Sequence, residues 1–277
     1  MRQKGITLIE LVVVLTILGV ISAGIASFVR VSIENVVLVT DRDKLLSASR
    51  FSVDRMSREL VNALPGSLRV SGNSTFHCLQ FVPIELVGAY TRLPVQGVSN
   101  LQIVEPIAAT GESVSLTANL DYAVVYPLTE TDVYANNSVK RKLITAVSDD
   151  ADNNNLIELD VTGLYPESSP AARAYIVNRA VSFCLIANAS DGGRLVRFES
   201  PIAQSAPNSI PANAVTLAEN IDNVLSANPS SSYLEDDPFR VVQASRQRNA
   251  TVQIRFRFIQ NGEQITLQQE VHIPNAP

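Results

Sequence analysis

From Leu11 to Val29 the chain runs nineteen residues without a charge, about the length of helix that crosses a bilayer's hydrocarbon core. Arg2 and Lys4 precede the apolar stretch, and within Ile6–Val29 the single charged residue is Glu10. An isolated carboxylate at membrane depth costs roughly 2.5–3.5 kcal/mol on insertion scales, so something must compensate for it. A secretory signal peptide has a shorter apolar region, about 7–15 residues, ending in a small-residue cleavage site. Here the run is longer, and Arg30 comes after it without such a site. A plain membrane anchor fits the length but gains nothing from a carboxylate at Glu10.

The stretch Lys4-Gly5-Ile6-Thr7-Leu8-Ile9-Glu10-Leu11 resembles the processing site of type IV prepilins and of the related pseudopilins of type II secretion. The resemblance implies that a membrane-embedded aspartic peptidase cuts between Gly5 and Ile6 and then methylates the new amino terminus on Ile6. Glu10 then becomes the fifth residue of the mature chain and pairs, in a filament, with the amine of a neighbouring subunit. Attraction between such charges grows as the local dielectric falls. Leaving one partner alone in a dry site typically costs about 3–5 kcal/mol, so assembly satisfies a charge that a lone subunit satisfies poorly.

The same resemblance implies an α+β, pilin-like fold in which a long N-terminal α-helix, membrane-spanning in its first half, packs on an antiparallel β-sheet head. The expected division is 1–5 leader, 6–29 membrane and filament-core helix, 30–64 amphipathic helix and 65–277 extracytoplasmic head. Two positions depart from the family's usual pattern. The mature chain starts with Ile6 where Phe is usual, and Ser27 stands where many major pilins carry proline. Helix melting there rests on Gly19 and Gly24, which cost only about 1 kcal/mol each relative to Ala. Both departures favour a minor pilin or pseudopilin over a bulk filament subunit.

The formal net charge is −5, and removing Arg2 and Lys4 with the leader leaves −7. Nucleic acid is therefore not expected as the main partner. Positive-inside logic places Arg2 and Lys4 in the cytoplasm and everything after the span outside it; the resemblance implies a bacterial inner-membrane protein with its head in the periplasm and later at the pilus or cell surface. That space is oxidising in a bacterium, and Cys78 and Cys184 are the only cysteines. A disulfide between them is expected over two buried free thiols; closing a loop of about 100 residues is worth up to about 4–5 kcal/mol in the entropic model. With His77 and His272 far apart in sequence, two cysteines and two histidines do not make a zinc site.

Beyond Arg30, Leu45, Val53, Met56, Leu60 and Leu64 form one apolar stripe at helical spacing, with Asp54, Arg55, Arg58 and Glu59 largely off it. Pro65-Gly66 stops the helix. Period-two patterning then predicts strands at Thr75–Val82, Tyr122–Tyr126, Lys140–Val147, Leu156–Val161, Ala180–Ile186 and Leu195–Phe198. The clearest hairpin has Val252, Ile254, Phe256 and Phe258 on one arm, Asn261-Gly262 as the turn, and Ile265, Leu267, Val271 and Ile273 on the other. Leu217–Leu225 reads as a short helix, and the proline-bearing stretches 200–213 and 228–238 as loops.

No nucleophile elbow, phosphate-cradling glycine loop or His-Glu-x-x-His is present, and an enzyme is not expected. His77 and Cys78 are sequence neighbours, so on a strand they point to opposite faces and make a poor dyad. Asp236-Asp237 reads as a solvated turn. Asp150, Asp152 and Asn154, with Glu158 further on, have part of a calcium-loop spacing. Val161 stands where an EF-hand needs a bidentate Glu, so an Asn-rich turn competes with calcium there. Arg240, Arg246, Arg248, Arg255 and Arg257 cluster near the last hairpin, where pairing with acidic neighbours competes with a nucleic-acid or lipid-headgroup patch.

Residues 58–65 and 269–275 resemble minor pilins of mannose-sensitive haemagglutinin pili. The whole chain therefore reads as a minor type IV pilin, a non-enzymatic assembly subunit. Its expected partners are other pilins, the prepilin peptidase and methylase, and the inner-membrane assembly platform. A minor pseudopilin of type II secretion is the alternative within the same physics. A membrane-anchored adhesin that never polymerises is the alternative of another class.

Overall fold

The computed structural model describes residues 7–95, 100–105, 115–149, 155–187, 192–244 and 248–274. In chain order the elements are α1 (Leu8–Val61), β1 (Arg69–Asn73), β2 (Phe76–Phe81), β3 (Leu86–Arg92), β4 (Asn100–Val104), β5 (Tyr122–Val125), α2 (Glu130–Tyr134), β6 (Arg141–Asp149) and β7 (Leu156–Val161). They continue with β8 (Arg173–Val177), β9 (Ala180–Ile186), β10 (Gly193–Ser200), β11 (Val215–Ile221), β12 (Phe239–Val242), β13 (Ala250–Gln260) and β14 (Glu263–Ile273). This is an α+β layout, a long apolar helix and then antiparallel β-structure. The chain divides into two compact units, Met1–Ala48 and Ser49–Pro277.

In the first unit the described residues from Leu8 onward are helical. Gly19, Gly24 and Ser27 do not interrupt α1, because an isolated glycine weakens a helix without removing its hydrogen bonds. Leu11, Leu15, Leu18, Ile21, Ile25 and Phe28 are all exposed. A stretch this apolar with its large side chains exposed matches a membrane interior rather than water, and α1 is long and apolar enough to cross a membrane.

In the second unit the end of α1 buries Val53, Met56 and Leu60, the last two completely. The helix stops at Val61 rather than running to Leu64. Ala63 forms an isolated antiparallel bridge with Pro83. Leu64 N–H donates to Val82 O at 2.8 Å, and Ile84 N–H to Asn62 O at 2.9 Å. Sheet-like hydrogen bonds to a distant segment thus replace the last helical turn, a competition that local patterning does not register.

The strands form two assemblies rather than the one sheet that the sequence pattern suggests. The first runs β1-β2-β9-β10-β11-β13-β12, with β14 added on β13; β3-β4-β7-β6-β5-β8 close into a barrel. In the sheet, β2 and β9 place Cys78 opposite Cys184, and the two are joined by a disulfide. The bond is buried in a cluster with Val196 and Phe198, against which Phe76, Ile186, Ile210 and Ala214 pack. The last hairpin has unbroken register from Ala250↔Ile273 to Gln260↔Glu263. Its turn residues Asn261 and Gly262 have φ of 52° and 83°, the left-handed pair that a two-residue hairpin turn requires.

The segment Leu217–Leu225 is not a helix. Val215–Ile221 is strand β11, paired with β10 through two register shifts, and Asn220 has φ 61°. These irregularities erase the alternation by which a strand is recognised.

The barrel interior is filled by Leu101, Ile103, Ala123, Val125, Ile144, Leu159, Tyr165 and Ile176 among others. Helix α2 begins with a capping box. Thr129 accepts from Asp132 N–H, and the Asp132 carboxylate accepts from Thr129 N–H.

Two arginines hold separate parts of this second unit together. Glu59 on α1 takes Arg197 of β10 at 2.9 Å and Arg55 at 3.1 Å. Arg197 reaches Glu199 at 2.9 Å, and Glu199 takes Arg179 at 3.3 Å. Burial works against the charge on Arg197, but its hydrogen bonds to Glu59 and Glu199 outweigh it and raise its pKa. Arg69, 5% exposed, donates to the carbonyls of Ala203, Gln204 and Ser205 at 2.9–3.1 Å and lies 3.6 Å from the Tyr134 ring centroid. A fully hydrogen-bonded guanidinium is one of the few ways to keep a buried charge, and here it fixes the loop after β10.

Replacing the carboxylate in Glu59→Gln should lower stability by about 1–2 kcal/mol, since charge-assisted hydrogen bonds exceed neutral ones and this one is partly screened. A urea midpoint shift at constant m-value would read that loss. The phenols of Tyr134 and Tyr165 donate to Ser67 O and Ala123 O, and burial raises both above the ordinary value of 10. The unfolded chain ionises them first, so their contribution is complete below pH 10 and falls as pH rises above it. Phenolate absorbance should show these two tyrosines titrating together with loss of structure.

Candidate functional site

Glu10 lies in the first turn of α1. Thr7 N–H and Thr7 Oγ1–H each donate to Glu10 Oε2 at 3.1 Å, and Glu10 N–H donates to Thr7 Oγ1 at 3.4 Å. This reciprocal pattern is a capping box, with Thr7 at the N-cap and Glu10 at the third helical position. A carboxylate also sits favourably at the positive end of a helix dipole. The carboxylate is therefore not bare in the single chain: two donors from Thr7 hold it on one oxygen. The Thr-x-x-Glu spacing is a capping signal in its own right, and Thr7 is the capping residue that hydropathy alone does not mark.

Gly5 and Ile6, the expected processing positions, lie outside the described residues, and so do Asp150, Asp152 and Asn154 of the calcium candidate. Glu158 is described, on β7. Its carboxylate takes Arg92 Nη1 at 3.3 Å and Asn100 Nδ2 at 2.8 Å, so both oxygens are engaged by protein donors. Among the described residues no group of three His, Cys, Asp or Glu side chains is placed to hold a metal ion.

The remaining polar candidates resolve into structural partners. His77 is fully buried, with Nε2 2.8 Å from Ser226 O and Nδ1 3.6 Å from Asp237 Oδ1; Cys78 is committed to the disulfide. Asp236-Asp237 is not a solvated turn. Asp237 is 6% exposed and accepts from Ser226 N–H and Leu234 N–H at 2.8 Å. Asp236 accepts from Val224 N–H at 2.7 Å and pairs with Arg257 at 2.8 Å. Backbone donors of the loop after β11 needed acceptors, and these two carboxylates supply them. Arg255 pairs with Glu235, and Arg240 lies over the Tyr233 ring. Arg240, Arg255 and Arg257 of the arginine cluster thus have intramolecular partners. Arg248 is exposed, and Arg246 lies outside the described residues.

With that geometry in place, residues 1–26 match the family described as the prokaryotic N-terminal methylation motif. No curated protein and no solved structure shows a significant match to the chain. The motif and the long apolar helix together give this chain the N-terminal signature of the type IV pilin and pseudopilin superfamily. Proteins with this motif are processed by a prepilin peptidase and associate with other pilins.

Thr7→Ala removes the side-chain half of the capping box, and loss of an N-cap typically costs about 0.5–2 kcal/mol of local helix stability. Amide hydrogen exchange over the first turns of α1, with the full chain in detergent micelles, should accelerate accordingly. Thr7→Ser should retain the protection.

Proposed function

We propose that this chain is a minor type IV pilin, a non-enzymatic subunit that enters a filament through its N-terminal helix and helps to start or cap it. In this reading the prepilin peptidase cuts between Gly5 and Ile6 and methylates Ile6. The chain then waits in the inner membrane as a single-pass protein with its β-rich unit in the periplasm. The assembly platform draws it into the pilus, where Glu10 meets the amine of a neighbouring pilin. The proposal needs no cofactor.

The observation that carries the proposal is one carboxylate at the head of a helix whose next nineteen residues, Leu11 to Val29, are uncharged and exposed. Its two donors come from Thr7, and both would survive a cut before Ile6, because Thr7 keeps its backbone N–H. The capping box would thus keep Glu10 in place at the helix start until a cationic amine arrives. Adding a cationic donor to neutral ones then supplies the preference for the assembled state, since attraction between opposite unit charges grows as the local dielectric falls.

Two measurements test this together. Mass spectrometry of the mature chain should show loss of Met1–Gly5 and one added methyl on Ile6. Glu10→Ala should leave the disulfide-bonded head intact while reducing recovery in sheared filaments by at least about tenfold, the effect expected from losing roughly 1.4 kcal/mol or more of pairing. Equal recovery of Glu10→Ala and the parent chain contradicts the assembly role. Recovery with a secretion pseudopilus instead of a pilus assigns the same chemistry to a type II secretion system.

A further inference from the structure

The chain carries four lysines, Lys4, Lys44, Lys140 and Lys142, against eighteen arginines. Arginine stays charged in proteins, whereas a lysine amine gives up its proton when burial strips water from it. Two of the described lysines have carboxylates beside them. Lys44, exposed on α1, lies 4.0 Å from Asp41. Lys140 reaches Glu167 at 2.9 Å and Asp132 at 3.7 Å, and donates to Tyr126 O at 3.0 Å.

Lys142 is placed differently. On β6 it stands opposite Ala123 of β5, and directly opposed residues of an antiparallel pair share a face. Ala123 and Ile144, the latter two residues further along β6, are buried in the barrel core. The Lys142 side chain therefore starts on the inner face of the barrel, near the end where β6 begins. Arg141 takes the other face, where it donates to Val133 O and lies 4.9 Å from the Tyr122 ring centroid. The segment after β7 closes in on the same end of the barrel. Thr162 N–H donates to Leu143 O at 3.0 Å, and Tyr165 N–H donates to Pro94 O at 2.8 Å. Gly163 adjoins the amine without a side chain; a Cβ there would stand 3.8 Å from Nζ. Lys142 is half-buried, and among the described residues no acceptor takes its Nζ. Burial lowers its pKa from the ordinary lysine value, and no opposing charge restores it.

We infer that Lys142 is a reactive amine at the mouth of the barrel, which takes small uncharged aldehydes as imines. An ammonium with no acceptor is costly away from water, and the neutral amine is the nucleophilic form. Its lone pair adds to the aldehyde carbon, and a proton passes from nitrogen to the carbonyl oxygen. The resulting carbinolamine loses its hydroxyl and the second nitrogen proton as water, which leaves a C=N bond. Nothing is oxidised or reduced, and no further reactant enters. An acyl donor would need an activated leaving group, whereas an aldehyde needs only the amine that is present. The half-buried position sets the size limit, and no counter-charge beside the amine is placed to hold a charged ligand. The inference does not depend on the role proposed for Glu10.

The test uses the full-length, disulfide-bonded chain in detergent micelles, with acetaldehyde as the probe and cyanoborohydride to reduce the imine to a stable secondary amine. Peptide mass spectrometry reads the initial rates at Lys44, Lys140 and Lys142. Near neutral pH, Lys142 should be modified several-fold faster than Lys44, with Lys140 slowest. The advantage should shrink as pH rises, because more of every amine is then neutral. Lys142→Arg should abolish the fast label and keep the near-ultraviolet circular dichroism of the parent; if that variant fails to fold, the rates in the parent chain decide alone. A rate at Lys142 no higher than at Lys44 overturns the inference. So does an advantage that persists in urea after reduction of the disulfide, since it would then come from sequence neighbours and not from the barrel.

Discussion

The interaction on which the rest depends is the three-hydrogen-bond loop between Thr7 and Glu10. A helix start leaves backbone N–H groups without partners, and an apolar helix start in a membrane has little water to supply them. Thr7 and Glu10 answer both difficulties at once, since the carboxylate accepts from the N-cap while the hydroxyl accepts from the third helical residue. A residue that looks like a cost in hydropathy terms is thus part of the helix's own termination. The carboxylate remains exposed, which leaves it open to a stronger partner.

Within the second unit, charge fastens segments that apolar packing alone would leave to slide. Glu59 binds Arg197 on β10, and the chain of pairs continues through Glu199 and Arg179 to Glu85, just before β3. The run touches the helix end, the open sheet and the approach to the barrel. Arg69 and Asp237 do the same for two irregular loops, each saturating backbone groups that a loop cannot pair by itself. Buried polar groups fixed in this way position segments more specifically than Val or Leu at the same places would.

Local chemistry was legible where it was self-contained. The Asn261-Gly262 turn and its flanking alternation gave the last hairpin, because a two-residue turn and a half-buried face are short-range properties. Strands β7 and β9 emerged with the expected limits for the same reason. The helix stripe at Val53, Met56 and Leu60 came from three- and four-residue spacing. Leu217–Leu225 misled because two register shifts and a left-handed Asn220 remove the period of two. Asp237 misled because the groups it faces, His77 and Ser226, lie well away from it in sequence. The site at Glu10 was legible as a carboxylate in an apolar run; its partner Thr7 was visible in the same eight residues but had no bearing on hydropathy.

By itself, the sequence determined the apolar helix, the motif at its start and the antiparallel character of the strands beyond it, since all three rest on composition and spacing within a few turns or one hairpin. Tertiary structure alone decided that the strands divide into an open sheet and a closed barrel. Closure of that barrel requires β3 to find β8 and β4 to find β7, across stretches of chain whose local patterns carry no record of their partners.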